Sequence, residues 1–277
     1  MTDTTHQSDL SVAIAGVAGR MGRQLVASAL EAGLSVSGGT EAPGKGPFDR
    51  DIGELAGRSP LGISPVTDPV AAAADANVWI DFTRPEATLA ALEALKHTRV
   101  SGVVIGTTGF TAAEEQEIAQ AATQFAIVKA GNFSLGINLM QVLTRMAASR
   151  LGEGWDIEIL ETHHRRKVDA PSGTALMLGE AASEGRGSVL DDLRSPPYDG
   201  PDSARQAGQI GFSVRRMGDV IGEHSVSFGS DMEILTLNHT ALDRKVFAHG
   251  AVQAATWVKG RKPGLYGMED VLGLAGA

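Results

Sequence analysis

The sequence predicts an α/β protein in two parts, a doubly wound parallel sheet followed by an α+β domain with a mostly antiparallel sheet. Three observations carry this. Short apolar, partly β-branched runs alternate with helical segments as far as about residue 133. A glycine-rich turn joins the first strand directly to the first helix. From Trp155 onward the pattern changes to period-two alternation, which marks half-buried antiparallel strands.

Taken in order, LSVAIA (10–15) reads as a buried parallel strand and the helix after it spans 21–32, with Gly33 as its C-terminal cap. LSVSGGTE (34–41) is the second strand. The glycine- and proline-rich stretch 42–62 follows and is expected to be a mobile surface loop. NVWIDF (77–82) and VSGVVIGTTG (100–109) are two further strands, with a helix over 86–95 between them. Thr111 and Glu114 form a capping-box pattern that opens a helix to about residue 124, and FAIVKA (125–130) is the next strand. SLGINLMQVLTRMAASRL (134–151) is a long apolar helix. WDIEILETHH, IGFSVRRMGDVIGEHSVSFG and DMEILTLNHTA supply antiparallel strands, and APSGTALMLGEAA supplies a helix among them. The span 183–206, rich in Ser, Pro, Gly, Asp and Arg, reads as an exposed loop. The last helical stretch, FAHGAVQAATWVKG, is expected to pack back on the first domain, because a lone helix has nowhere else to bury its apolar face.

Composition narrows the function. At ~150 residues per domain, 277 residues make one large domain or two modest ones. A 43% hydrophobic, 21% charged chain with mean hydropathy −0.02 belongs with soluble globular proteins rather than disordered or membrane ones. The net charge of −9 removes the general attraction to phosphate backbone, so nucleic acid is not an expected partner. There is no cysteine, which excludes disulfides, thiolate zinc sites and thioester chemistry. The first ten residues lack a charged segment leading into an apolar one, and no run of ~18 apolar residues occurs, so no membrane association and a cytoplasmic location are expected.

Gly16-Val17-Ala18-Gly19-Arg20-Met21-Gly22 sits between strand and helix, where backbone amides at the helix N-terminus can meet a pyrophosphate. That context makes the first domain Rossmann-like, although the spacing is G-x-x-G-x-x-G rather than G-x-G-x-x-G. A tight turn that merely packs helix on strand is the alternative. Glu41 lies 19 residues past Gly22, close to the ~20 expected for the acid that binds an adenosine ribose hydroxyl, which favours NAD. Arg20 and Lys45 could hold a 2′-phosphate, so NADH and NADPH both stay open. Gly106-Thr107-Thr108-Gly109 and Gly131-Asn132-Phe133 end later strands at the same carboxyl edge and together outline a nicotinamide path.

The segment Glu161 to Ala175 holds five consecutive ionisable bases, His163, His164, Arg165, Arg166 and Lys167, in an otherwise acidic protein. A solvated charge run is the ordinary explanation. Against it, the cluster runs into a helix N-terminus at Pro171-Ser172-Gly173-Thr174, where amides and the helix dipole receive anions. A small dicarboxylate fits, with Gly173 allowing close approach and Thr174 adding a hydroxyl. His163 and His164 serve one pocket only if the chain leaves the sheet between them, as expected. Histidine and lysine are natural proton carriers near neutral pH. His224, His239 and His249 show no metal-ligand spacing and read as structural or substrate-lining; no metal is expected.

ETHHRRKVDAPSGTA closely resembles the signature of the dihydrodipicolinate reductase (4-hydroxy-tetrahydrodipicolinate reductase) family. GVAGRMG, DFTRPE, GTTGF, GNFSLGIN, IGFSVRRMGDVIGEHSV and GLYGMEDVL resemble it in order, over nearly the whole chain. The resemblance implies reduction of the dihydrodipicolinate skeleton by NADH or NADPH in diaminopimelate and lysine biosynthesis. It implies His163 as proton donor or acceptor, Lys167 as second proton donor, and His164, Gly173 and Thr174 as carboxylate ligands. Gly16, Val17, Ala18, Gly19, Arg20, Met21, Gly22, Glu41, Gly106, Thr107, Thr108, Gly131, Asn132 and Phe133 would line the cofactor. Where many members carry arginine after the ribose-binding acid this chain has Ala42, which leaves Arg20 or Lys45 as substitutes. The resemblance further implies a homotetramer formed through the second-domain sheets and hinge closure on substrate. The expected domains are 1–133 for dinucleotide binding, 134–244 for substrate binding and oligomerisation, and 245–277 packing back on the first. The alternatives are another NAD(P)-dependent reductase of amino-acid metabolism, which the tandem histidines and the KVDAPSGT continuation disfavour, and a non-catalytic nicotinamide-sensing regulator.

Overall fold

A computed structural model describes residues 10–44, 46–201 and 203–276, so Lys45 lies outside the described residues. The chain forms two compact units, one of the chain up to Phe133 with Lys245–Gly273, the other of Ser134–Arg244 with the chain from Leu274. The first begins with β1 (Ser11–Ala15), α1 (Arg20–Glu31), β2 (Ser35–Thr40), α2 (Ile52–Leu55), α3 (Pro69–Ala72) and β3 (Val78–Asp81). It continues with α4 (Pro85–Leu95), β4 (Gly102–Ile105), α5 (Ala112–Ala121) and β5 (Ala126–Lys129). The second contains α6 (Leu135–Leu151), β6 (Asp156–His163), α7 (Gly173–Gly185), α8 (Leu190–Leu193), β7 (Ile210–Arg216), β8 (Glu223–Gly229) and β9 (Ile234–Thr240). The chain then returns to the first unit with α9 (Lys245–Val258), β10 (Gly264–Tyr266) and α10 (Met268–Val271).

The first sheet is parallel throughout, in the order β10-β5-β4-β3-β1-β2, with the switch of direction between β1 and β3. Its inner strands show no alternation because both faces are covered: every residue of β3 and β4 is buried. On one side, Trp79, Leu92, Leu95, Val103, Ile118 and Ile127 form a continuous core. On the other, α1 and α9 pack against each other, and α9 contacts β3, β4 and β5. A side chain at Gly250 would meet the Phe133 carbonyl at 1.7 Å, so only glycine lets α9 approach that closely. Local signals fix the helix starts. Pro85 occupies the first turn of α4, and Thr111 and Glu114 complete the capping box of α5.

In the second unit the order is β7-β6-β8-β9, antiparallel except for the β6–β7 pair, between which the chain crosses over through α7. Ile157, Ile159, Leu178, Ile210, Val226 and Phe228 make the core beneath α6 and α7. The opposite sheet face presents Glu158, Leu160, Thr162, Ser213, Ser225 and Thr236 by strand alternation. No helix among the described residues is long and apolar enough to cross a membrane.

Two stretches differ from the sequence expectation. The span 183–206 is not wholly loop: α7 runs through Gly185 and α8 follows. The Ser183 hydroxyl bonds back to the Glu180 carbonyl, which lets serine continue a helix. The stretch 42–62 is organised around Asp51, whose carboxylate accepts from the backbone N–H groups of Gly53, Glu54, Leu61 and Ile63. Partial burial works against the Asp51 charge, but these donors overcome it and hold the carboxyl at about 2. A group depressed in this way stabilises the fold above its unfolded value of 3.8, and the contribution is lost as pH falls through about 2. Asp51→Ala is expected to cost about 1–2 kcal/mol at neutral pH. In thermal melts the gap between variant and parent should narrow below pH 4, and a gap independent of pH would contradict this.

Candidate active site

In the first unit the carboxyl ends of β1, β2 and β3 converge on a cleft of about 530 Å³ lined by Gly16, Thr40, Glu41, Ala42, Thr83 and Arg84 among others. The cleft stands where ligands of doubly wound sheets bind. Its floor is the glycine turn. Gly16 takes φ +63°, and the Gly19 N–H donates to its carbonyl at 2.9 Å. A Cβ on Gly22 would lie 2.1 Å from the Gly16 carbonyl oxygen and 2.7 Å from the Val17 Cα, so α1 sits on the turn only because residue 22 is glycine. Gly19 caps α1 without a side-chain bond, and the first turn carries no acid. These features leave the helix N-terminus suited to an anion. The Glu41 carboxylate, one residue past β2, accepts from the Ala18 N–H at 2.6 Å and so stands at the mouth of the turn. Arg20 is exposed at the start of α1 and Met21 half-buried. The turn, the helix start free of a side-chain cap and the acid fit a dinucleotide.

Residues 106–108 and 131–133 follow β4 and β5 at the same edge. A Cβ on Gly106 would lie 2.0 Å from the Phe82 ring, and Phe82 in turn packs against buried Phe133 at 5.1 Å. Thr107 is buried. Its hydroxyl donates to Asp81 at 3.2 Å and receives the Thr83 N–H and the Thr88 hydroxyl, so that side chain is occupied in fixing the edge. Thr108 and Gly131 are exposed, and Asn132 is half-buried.

In the second unit β6 ends at His163, and the chain leaves the sheet at His164, as the two adjacent histidines required. His163 and Glu161 lie on one face of the strand, and the His163 Nδ1 is 2.6 Å from the Glu161 carboxylate. Glu161 is 1% exposed. From β7, opposite His163 in register, Arg216 donates to both Glu161 oxygens at 2.7 Å, and the Ser172 N–H donates to one of them at 2.9 Å. Burial penalises the Glu161 charge, but Arg216 and His163 outweigh it and hold the carboxyl below the usual carboxylate range. An ionised carboxylate can only accept, so His163 Nδ1 carries the hydrogen and Nε2 is its free position. Nε2 lies 3.1 Å from where a Cβ on Gly222 would be.

The His224 ring meets His163 edge-on at 5.2 Å, and its Nε2 lies 3.1 Å from the Ser172 hydroxyl. Burial, with His163 nearby, pushes its titration down to about 4, so His224 is neutral at physiological pH. Desolvation and the cations of Arg166 and Arg244 also lower His164. Lys167 Nζ donates to both oxygens of Asp169 at 2.8 Å, and that bond lowers the Asp169 carboxyl. Ser172 caps α7 by accepting from the Ala175 N–H, which places Gly173 and Thr174 at the first two helical positions. A side chain at Gly173 would meet nothing within 4 Å, so the space before this terminus is open. His239 lies by Ser134, and His249 is exposed on α9.

The structure thus brings His163, Lys167, Gly173 and Thr174 to one end of the second unit. It adds Glu161, Arg216 and Asp169, which sequence reasoning did not single out. The available signal was the shared strand face of Glu161 and His163, two residues apart. Arg216, 55 positions away, is tied to them by pairing register alone.

Family models described as dihydrodipicolinate reductase, N-terminus, and dihydrodipicolinate reductase, C-terminus, match residues 10–133 and 136–272. A 4-hydroxy-tetrahydrodipicolinate reductase of Parvibaculum lavamentivorans is 49% identical over 269 residues, 96% of this chain and 99% of that one. Another, from Rhizobium meliloti, is 48% identical over 271 residues, 97% and 99% of the two chains. Among solved structures, a dipicolinate-bound dihydrodipicolinate reductase from Paenisporosarcina sp. TG-14 matches with TM-score 0.72 and 26% identity, covering 94% of this chain and 98% of that one. An amine dehydrogenase from Mycobacterium smegmatis shares the fold alone, with TM-score 0.64 and 13% identity over 94% and 95% of the two chains.

Proposed function

The chain belongs to the dihydrodipicolinate reductase family, and from that premise we propose that it reduces 4-hydroxy-tetrahydrodipicolinate to tetrahydrodipicolinate with a nicotinamide cofactor, in diaminopimelate and lysine biosynthesis. The observation that carries the reading is the end of the second unit. There a histidine held by a buried carboxylate, a lysine and an open helix N-terminus meet.

Residues 16–22 would hold the cofactor's diphosphate and Glu41 its adenosine ribose, and residues 106–108 and 131–133 would line the nicotinamide path. The 4-hydroxyl leaves as water, and a bound nicotinamide would then supply a hydride to the fourth ring carbon of the conjugated acceptor that remains. A conjugated acceptor that gains a hydride needs a proton in return. His163 gives or takes that proton at Nε2, and Lys167, whose Nζ is bonded to both oxygens of Asp169, is the second donor. His164, the Gly173 and Thr174 terminus and the Thr174 hydroxyl hold the carboxylates, where the helix dipole favours negative charge. The protein assembles as a homotetramer through the uncovered face of the β7-β6-β8-β9 sheet, and it works in the cytoplasm.

NADH is the preferred cofactor, because Glu41 repels a 2′-phosphate and Ala42 offers it no cation. Ala42→Arg is expected to raise kcat/KM for NADPH about 10-fold, the value of ~1.4 kcal/mol from one charged contact. An unchanged NADPH to NADH ratio would contradict this. The dicarboxylate site is tested by titrating pyridine-2,6-dicarboxylate calorimetrically with and without NADH. Binding that tightens with NADH and weakens in Thr174→Val is expected. Absent binding, or binding indifferent to NADH, would favour a cofactor sensor over an enzyme.

A further inference from the structure

The second unit contains a buried charged cluster whose cost calls for a reason beyond packing. Glu161 has a side chain that is 1% exposed, and isolating an ion from water is unfavourable unless its partners are near ideal. Its partners are near ideal and come from three elements. Arg216 on β7 grips both oxygens, the Ser172 N–H at the start of α7 takes one, and His163 on β6 itself takes the other. Arg216 is fixed further by the Asp169 carbonyl at 2.7 Å. The carboxylate spends its second oxygen on the histidine ring that reaches the end of the strand.

We propose that Glu161 is a positioning residue for the reductase. It locks His163 as the Nδ1–H tautomer, aims Nε2 outward past Gly222, and stabilises the imidazolium formed when Nε2 takes a proton, while Arg216 keeps Glu161 ionised and oriented. The inference rests on the assignment of His163 as the proton carrier. In this scheme the proton moves only between His163 Nε2 and the substrate. Glu161 neither receives it nor touches substrate. The charged and titratable groups around His163 are Glu161 on its own strand, Arg216 on β7 and His224 on β8, with His164 and the mutually paired Lys167 and Asp169 in the segment that follows. His224 is neutral and Arg216 is spent on Glu161, so Glu161 provides the local negative charge.

The test is a double-mutant cycle with a pH profile, using E161Q, H163Q and the E161Q/H163Q pair in the full-length protein. E161Q keeps the shape but removes the charge. It is expected to lower kcat about 10²-fold, the low end of what a general acid or base contributes. Substrate KM should change little, and the His163 limb of the kcat profile should move to lower pH, because imidazolium loses its counter-charge. The double variant should be no slower than H163Q, since Glu161 acts through His163. If H163Q keeps parental kcat, the proton-carrier assignment itself fails. If H163Q is slow but E161Q is normal, or the two losses multiply in the pair, that assignment stands and the positioning role is overturned. Should E161Q not fold, R216K replaces it. Lysine cannot grip both oxygens, so kcat should fall and become non-additive with H163Q in the same way. Additive losses there would equally overturn the proposal.

Discussion

His163→Ala and Lys167→Ala are each expected to lower kcat by about 10²–10⁴-fold, the range for removing a positioned acid or base, with NADH affinity unchanged. The reason for the split lies in where the residues stand. Both belong to the second unit, whereas the glycine turn and Glu41 belong to the first. The two variants should differ in their side effects. His163 is packed against His224 and bonded to Glu161, so its loss leaves a buried carboxylate short of one donor and lowers thermal stability. Lys167 is paired with exposed Asp169, and its loss should leave the melting temperature near parental. Stopped-flow single turnovers separate chemistry from product release. Near-normal turnover in both variants would contradict the mechanism.

Gly22→Ala is expected to produce the opposite pattern. The added methyl would lie within 2.1–2.8 Å of three backbone atoms of Gly16 and Val17, none of which can rotate away. Either α1 lifts or the turn deforms, at a cost of about 1–3 kcal/mol. Expressed in cofactor binding, that weakens the NADH dissociation constant roughly 5- to 150-fold. Pyridine-2,6-dicarboxylate binding to the protein without cofactor should persist. Fluorescence titration of NADH measures the first effect and calorimetry the second. Unchanged NADH affinity would mean the turn is only a packing device.

What could be read in the sequence depended on how local each cause is. The capping box at Thr111 and Glu114, the C-terminal Gly33 at φ +75° and the alternation of β6 are set by neighbours within a few residues, and each is found where expected. β10 was not seen. Its three residues have no period of their own and become a strand only by pairing with β5. The segment around Asp51 carried ordinary loop composition, because its order comes from one carboxylate gathering N–H groups ten and twelve residues away. The same division runs through the candidate site. The basic run and the helix start after it stood out in one continuous stretch. The Glu161–Arg216 grip did not, because it joins residues brought together by sheet register, and the Thr107 hydroxyl turned inward because Asp81 and Thr88 lie beneath it.

The reductase activity is tested most directly by generating substrate from pyruvate and aspartate semialdehyde with the preceding synthase and following NADH and NADPH absorbance in parallel after this protein is added. Oxidation that requires both protein and substrate and runs faster with NADH is the expected result. No oxidation of either cofactor, by folded protein that still binds one of them, would contradict it.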